Sequence, residues 1–211
     1  QDCTVTEENL FVYGAFKGVQ ESNGEIPPEF AAHGRALCRK WIHLESKFEE
    51  KLRELEDELL GEGMRWLAVH IRRGDKAVEA ASNLLLTETA IVARVIDQCF
   101  LWKMDGVFLC SDDAKLKIRI EEQLGHHAAP SGAALMVSSY ASTLTLNEDS
   151  THKDTSLDGF IKAEDVCTEA FLMARCCHGL LSTYSNVSAS VVYLSPEGYP
   201  YTTFFDSLNA K

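Results

Sequence analysis

Two adjacent arginines, Arg72 and Arg73, follow the apolar run at residues 66–71 and have the chemistry to bind an anion. The run has the length and composition of a buried parallel strand, so the arginines leave its carboxyl end. Each guanidinium is a rigid fork that meets two phosphate oxygens at once. Gly74 permits a tight turn, and Asp75 can orient an arginine or accept from loop amides. We expect Arg72, followed by Arg73, to hold a diphosphate.

Two other interpretations of this segment exist. The charges can form a solvated surface loop in which the arginines pair with Asp75 and Glu79. The tripeptide at residues 73–75 can also serve as an adhesion ligand, but such a ligand requires an exposed flexible loop. The position at the end of a buried strand favours the anion site.

Paired aspartates, Asp112 and Asp113, follow a second apolar run at residues 106–110. Such a pair can bind Mg²⁺, contact a ribose or cap the helix that follows. Capping accounts for one of the two carboxylates. Because no third carboxylate is near in sequence, we predict no metal site.

A third candidate strand, at residues 179–183, ends in a polar segment that leads into a helix. Hydroxyls at Thr183, Tyr184 and Ser185, together with the amides of a helix N-terminus, form an anion site. The simpler interpretation is N-capping by Ser185. The sequon that begins at Asn186 is expected to be unused so close to a ligand.

Asp165 and Glu169 lie four residues apart on the helix that precedes this strand. They share a face, and two like charges at that spacing destabilise a helix unless a partner compensates. Lys162 or the hydrogen-bond donors of a ligand are the candidate partners.

Strand and helix patterns alternate along the chain. This alternation predicts an α/β, Rossmann-like fold with a mostly parallel sheet and helices on both faces, whose ligand lies outside the carboxyl ends of the strands. The pattern divides the chain into an irregular segment at 1–43 and one Rossmann-like domain at 44–211. We expect the helix at 157–177 to bury six apolar side chains: Ala163, Val166, Cys167, Ala170, Phe171 and Ala174. Strands are predicted at 66–71, 106–110, 133–137 and 179–183, and helices at 44–60, from about 88, at 113–124, 157–177 and 187–194.

Composition excludes several classes of function. A net charge of −12 over 211 residues argues against nucleic acid as a partner. No apolar run approaches the roughly 20 residues of a membrane span. The seven cysteines include no Cys-x-x-Cys pair, and the chain has no Walker A, Gly-x-Gly-x-x-Gly or Gly-x-Ser-x-Gly motif.

The three strand ends, in this order, resemble a known set of motifs. Residues 70–76, His-Ile-Arg-Arg-Gly-Asp-Lys, are similar to the His-x-Arg-Arg-[Gly/Thr]-Asp motif of α1,2-, α1,6- and protein O-fucosyltransferases. Residues 108–113 resemble the second block of that superfamily, an apolar strand that ends in Ser/Thr-Asp-Asp. Residues 169–185 resemble the third block. The resemblance covers roughly residues 44–195.

This resemblance implies the C-terminal, GDP-fucose-binding domain of a GT-B glycosyltransferase. Such an enzyme inverts the sugar, needs no metal or other cofactor, and transfers fucose to a glycan or glycoprotein acceptor. It implies the secretory pathway (Golgi or ER lumen), with the cytoplasm as the alternative.

The resemblance also assigns roles to the phosphate and base contacts. Arg72 would bind the β-phosphate and stabilise the leaving GDP. His70 would address the guanine together with one acid of the long helix, either Asp165 or Glu169.

The second and third blocks receive the remaining roles. Asp112 and Asp113 would support the ribose or the loop. Thr183 and Ser185 would contact phosphate, with Tyr184 between them.

Two features depart from the superfamily. Asn186 stands where the third block usually continues with Ser, and residues 1–43 are too few to form an acceptor domain. We expect that domain to be missing from this sequence. The alternatives are a non-catalytic module that binds a GDP-sugar or glycan, and a transferase that uses another nucleotide sugar.

Overall fold

The computed structural model describes residues 26–72, 86–142, 158–183 and 185–205. Within these ranges, five strands form one sheet and six helices pack around it. The strands are β1 Trp66–Ile71, β2 Gly106–Ser111, β3 Met136–Ser138, β4 Cys177–Ser182 and β5 Tyr201–Phe204. The helices are α1 Pro28–Trp41, α2 Ser46–Leu59, α3 Glu88–Trp102, α4 Ala114–Leu124, α5 Gly159–Cys176 and α6 Asn186–Leu194.

The sheet is parallel throughout, and its strand order is β3-β2-β1-β4-β5. Strands β2 and β3 are therefore added on one side of β1, and β4 and β5 are added on its other side. This reversal leaves a crevice at the carboxyl ends of β1 and β4, which is where open α/β sheets bind ligands. The predicted α/β fold with a Rossmann-like parallel sheet is confirmed.

Both faces of the sheet are covered, as the continuous apolar pattern of β1 requires. Leu67, Val69 and Ile71 pack on one face with α3 and α4. Trp66 and Ala68 pack on the other face with α1, α2, α5 and α6. The alternation along β1 thus supplies two separate cores from a single strand.

The acidic helix α2, which precedes β1, packs on α5. Leu52 is fully buried, and Phe48 meets Phe171 edge to face at 6.2 Å. Arg175 closes the contact with a bidentate ion pair to Glu49, at 2.7 and 2.8 Å.

The buried face of α5 differs from the expected one. Ala163 and Cys167 are exposed, whereas Asp165 and Glu169 are only 6% and 8% exposed. Ala170 and Ala174 are buried as predicted, and Val166 and Phe171 are half-buried. The helix is rotated relative to the predicted orientation because hydroxyl groups from another segment donate hydrogen bonds to Asp165 and Glu169. The spacing of apolar residues along a helix does not reveal such partners.

Two elements were not predicted. Pro28–Trp41 forms α1 inside the segment that we expected to be irregular, with a proline in its first turn. It packs on α6, where a Cβ added at Gly34 would collide with the ring of Tyr193. The other missed element is β5, whose Tyr201 stacks on Trp102 at 5.4 Å. The division of the chain at residue 43 stays a prediction, although α1 contributes Ala31 to the same core.

Smaller features are consistent with the sequence patterns. Among the helices of the described ranges, none is long and apolar enough to cross a bilayer. Cys99, Cys110 and Cys177 are buried free thiols, as expected of small core residues. The third strand begins three residues later than predicted, because Ala133 and Leu135 are hydrogen-bonded within a preceding turn.

Candidate functional site

The ends of β1 and β4 are joined above the crevice. The amide of Thr183 donates to the carbonyl of His70 at 2.9 Å, and the amide of Arg72 donates to the Thr183 hydroxyl at 2.8 Å. Thr183, the first residue after β4, is therefore held to β1, and Arg72, the first residue after β1, is held to Thr183. Arg72, which is half-buried, leaves the sheet at this junction.

A network of hydrogen bonds below this junction links Thr183, Ser185 and Ser188 and connects α6 to His70 of β1. Ser185 caps α6 by accepting from the amide of Ser188 at 3.1 Å, and the two hydroxyls lie 3.0 Å apart. The Ser188 hydroxyl donates to the carbonyl of Thr183 at 3.0 Å and lies 2.9 Å from Nδ1 of His70. The N-cap predicted at Ser185 is confirmed, and the cap belongs to a larger network.

This network holds the ring of His70 through Nδ1, which lies 2.9 Å from the Ser188 hydroxyl and 3.5 Å from the Ser185 hydroxyl. Burial, followed by the charge of Arg72, lowers the pKa of His70 to about 4. The ring is therefore neutral at physiological pH, with one nitrogen that donates and one that accepts.

The junction has the chemistry of an anion site. An arginine leaves the sheet beside the N-terminus of a nine-residue helix, whose first amides and dipole favour negative charge. Of the residues predicted here, the structure brings together His70, Arg72, Thr183 and Ser185. Arg73, Gly74, Asp75 and Tyr184 lie outside the described residues, and their roles stay predictions.

A second polar group lies at the end of β2, between α4 and α5. We call it the α4–α5 cluster. The Tyr140 hydroxyl donates to Asp165 at 3.1 Å, and the Ser142 hydroxyl donates to Glu169 at 3.3 Å. The Lys117 ammonium donates to the carbonyl of Tyr140 at 2.6 Å. The cluster comprises Lys117, Tyr140, Ser142, Asp165 and Glu169.

The electrostatics of the cluster centre on Glu169. Burial raises its pKa to about 7, and the charges of Asp165 and Asp112 add to the effect. Lys117 and the Ser142 hydroxyl oppose that shift. Asp112 and Asp165 therefore both lie close enough to Glu169 to act on its charge, although Asp112 belongs to a different sequence motif.

The two paired aspartates, Asp112 and Asp113, have different interactions. Asp113 caps α4 by accepting from the amide of Leu116 at 2.9 Å, which confirms that one of the two is a cap. Asp112 is half-buried beside the α4–α5 cluster. Within the described residues, no group of three or more His, Cys, Asp or Glu side chains is arranged to hold a metal ion.

Sequence reasoning missed four residues of the two groups. Ser188 belongs to the sequon that begins at Asn186, which predicts no role in a site. Tyr140 and Ser142 lie outside every predicted strand and helix. Lys117 carried a signal, because it lies on α4 next to Leu116 and three residues before Ile120, on the apolar face of the helix. A charge on such a face requires a buried partner.

Comparison with known proteins identifies solved structures with a similar fold. No protein-family model matches the sequence, and no curated protein matches it either. Solved structures do match. POFUT1 in complex with GDP superposes with a TM-score of 0.54 at 11% identity, over 85% of this chain and 52% of that one. The α-1,6-fucosyltransferase NodZ soaked with GDP-fucose gives a TM-score of 0.52 at 18% identity, over 82% and 49%.

A further structure, the fucosyltransferase NodZ from Bradyrhizobium, gives a TM-score of 0.53 at 17% identity, over 82% of this chain and 48% of that one. This chain thus spans about half the length of the solved structures that it matches. At these identities the likeness establishes the fold, and the chain has a fucosyltransferase-like fold, as the motif resemblance implied.

Proposed function

We propose that this chain is the donor-binding domain of an inverting, metal-independent glycosyltransferase of the GT-B type. The transferred sugar is fucose, its donor is GDP-fucose, and the acceptor is a glycan or a glycoprotein. The observation that carries the proposal is the β1–β4 junction, where Arg72 leaves the sheet beside the N-terminus of α6.

The junction suits the diphosphate of the donor. When the acceptor oxygen attacks the anomeric carbon, the bond to the β-phosphate oxygen breaks and negative charge grows on the leaving GDP. An arginine fork and helix amides that are already in place stabilise that charge without reorganising. Arg72 is the proposed principal contact, and Arg73, Gly74 and Asp75 complete the loop. Thr183, Tyr184 and Ser185 are the proposed phosphate contacts from the other strand.

The α4–α5 cluster suits the nucleoside. Guanine presents N–H donors on its base-pairing edge, which match the carboxylates of Asp165 and Glu169. The neutral ring of His70 offers a further hydrogen-bond partner for a ribose hydroxyl or for the base. Asp112, beside the α4–α5 cluster, is the proposed ribose contact, with Asp113 holding the turn. The site is thus cationic at its phosphate end and acidic at its base end.

The test of this proposal is turnover with a panel of acceptors. The chain, alone and joined to the remaining half of a transferase, is incubated with GDP-fucose and candidate glycans, and GDP release and fucosylated product are measured. Transfer with inversion supports the proposal. GDP-fucose binding without any transfer, also in the joined protein, identifies the alternative, a non-catalytic module of the same fold.

The proposed setting is the lumen of the Golgi or ER, where glycoprotein acceptors are available, with the cytoplasm as the alternative. Fractionation of cells that express the full-length protein distinguishes the two. A protein confined to the cytosol would contradict the luminal assignment and leave the chemistry untouched.

A further inference from the structure

Lys117 is a buried ammonium group that belongs to none of the three strand-end motifs. It is 6% exposed, on the face of α4 that also buries Leu116, Ile120 and Leu124. Burying a lone charge is costly unless the charge is paired and hydrogen-bonded. The residue that occupies this position therefore needs a specific interaction to offset that cost.

Its hydrogen bond fixes a backbone segment. The ammonium donates to the carbonyl of Tyr140 at 2.6 Å, and so ties α4 to residues 139–142, which follow β3. The same segment is held to α5 by two side-chain bonds, from Tyr140 to Asp165 at 3.1 Å and from Ser142 to Glu169 at 3.3 Å. Three contacts over three residues thus clamp the segment between two helices.

The charge of Lys117 also acts on the acids. It counteracts the burial of Glu169, while Asp112 and Asp165 act on Glu169 in the opposite sense. The nearby thiol of Cys110, at the end of β2, senses both Lys117 and Glu169. Lys117 is therefore a cation placed among the three acids at this edge of the sheet.

We propose that Lys117 is a positioning residue for the base end of the nucleotide site. It holds residues 139–142 and, through them, the carboxylates of Asp165 and Glu169 in the arrangement that the base meets. It touches neither the base nor the phosphates. This inference rests on the proposed function, because it presupposes a nucleotide at the carboxyl edge of the sheet.

The test compares Lys117→Met with Lys117→Arg by calorimetric titration with GDP and with ADP. We expect K117M to lose about tenfold in GDP affinity, the equivalent of one hydrogen bond to a charged group, with no matching loss of ADP affinity. The ratio of the two affinities therefore falls. K117R restores part of the loss because it keeps the buried cation. Arg119→Met, which removes an exposed charge two residues away on the same helix, is the control and leaves both affinities unchanged.

The outcomes separate this inference from the proposed function. A wild-type chain that binds no GDP contradicts the proposed function. A wild type that binds GDP, with a K117M variant of unchanged affinity or of equally reduced affinity for both nucleotides, overturns the positioning role. Should K117M fail to fold, Tyr140→Phe removes the hydroxyl, with its bond to Asp165 and its interaction with Lys51, and keeps the carbonyl that Lys117 binds. An unchanged nucleotide preference in that variant would overturn the role of the clamped segment.

Discussion

Two buried side chains of the candidate site favour their neutral forms. Burial is the first cause in each case, and it lowers the pKa of His70 to about 4 and raises that of Glu169 to about 7. The linked effects on stability have opposite signs. His70 makes the fold lose stability as the pH falls from about 6.5 towards 4, because the unfolded chain binds the extra proton. Glu169 makes it lose stability as the pH rises from about 4.5 to 7, because the folded chain holds the proton.

The first prediction concerns Glu169→Gln. The amide cannot ionise, so this variant escapes the loss that the wild type suffers between pH 4.5 and 7. Its stability relative to the wild type should rise across that window by on the order of 2 kcal/mol. Urea unfolding at pH 5 and pH 7.5 measures the change. Glu164→Gln, a half-buried position on the same helix, is the control, and parallel curves for Glu169→Gln and the wild type would show that the buried acid is not linked to folding.

The second prediction concerns Arg72→Lys. A point charge cannot reproduce the two parallel hydrogen bonds of a guanidinium, so the affinity for GDP should fall by roughly tenfold or more. The matched control is Arg65→Lys at the opposite end of β1, where the arginine bonds to the carbonyls of Trp102 and Lys103. Unchanged affinity in the first variant would remove Arg72 from the phosphate site.

The residue types at the strand ends predict most members of the candidate site. They do not predict the hydrogen bonds that hold these residues in place. The arginine pair, the aspartate pair and the capping serine have recognisable patterns. Ser188 does not, because its role depends on lying 2.9 Å from a histidine 118 residues away. Tyr140 is equally invisible, since its carbonyl and its hydroxyl serve two different helices.

The secondary-structure elements were predictable where an apolar run of the sequence fits only one type of element. Strand β1 has the predicted bounds, β2 ends one residue later than predicted, and β4 begins two residues earlier and ends one residue earlier. The orientation of α5 was not predictable, because Asp165 and Glu169 face the protein interior against the usual preference of acids for solvent. Helix α1 was missed because Ala31 is its one buried residue.

Two helix caps at the carboxyl edge of the sheet allow an effect on stability to be distinguished from an effect on ligand binding. Thr87 caps α3 and Ser185 caps α6, each by accepting from an amide of the first turn. Changing either residue to Ala should cost about 1 kcal/mol in the free energy of unfolding. Only Ser185→Ala should also weaken GDP binding, because Ser185 belongs to the network that orients His70. Chemical denaturation and GDP titration of both variants check this, and equal nucleotide affinities would reduce Ser185 to a structural cap.

The whole molecule carries a net charge of −12, so an anionic ligand must be bound by a local cationic site. The described part of the chain offers such a site at the β1–β4 junction and has no cluster suited to a metal. The proposed mechanism assigns the neutralisation of the diphosphate to Arg72 and to helix amides. Fold class followed from the alternation of strands and helices along the sequence. The superpositions add that the chain spans about half the length of the solved fucosyltransferases.

Thermal unfolding in the presence of GDP, UDP or ADP, each with and without EDTA, tests the central claim most directly. A nucleotide at about 100 times its dissociation constant adds about 2.7 kcal/mol to the stability of the folded state, which is an easily measured shift. We predict stabilisation by GDP, little or none by UDP and ADP, and no effect of EDTA on the GDP shift. No shift with any nucleotide, or an equal shift with all three, would contradict a guanine-nucleotide site in this chain, and loss of the GDP shift in EDTA would contradict its independence of metal.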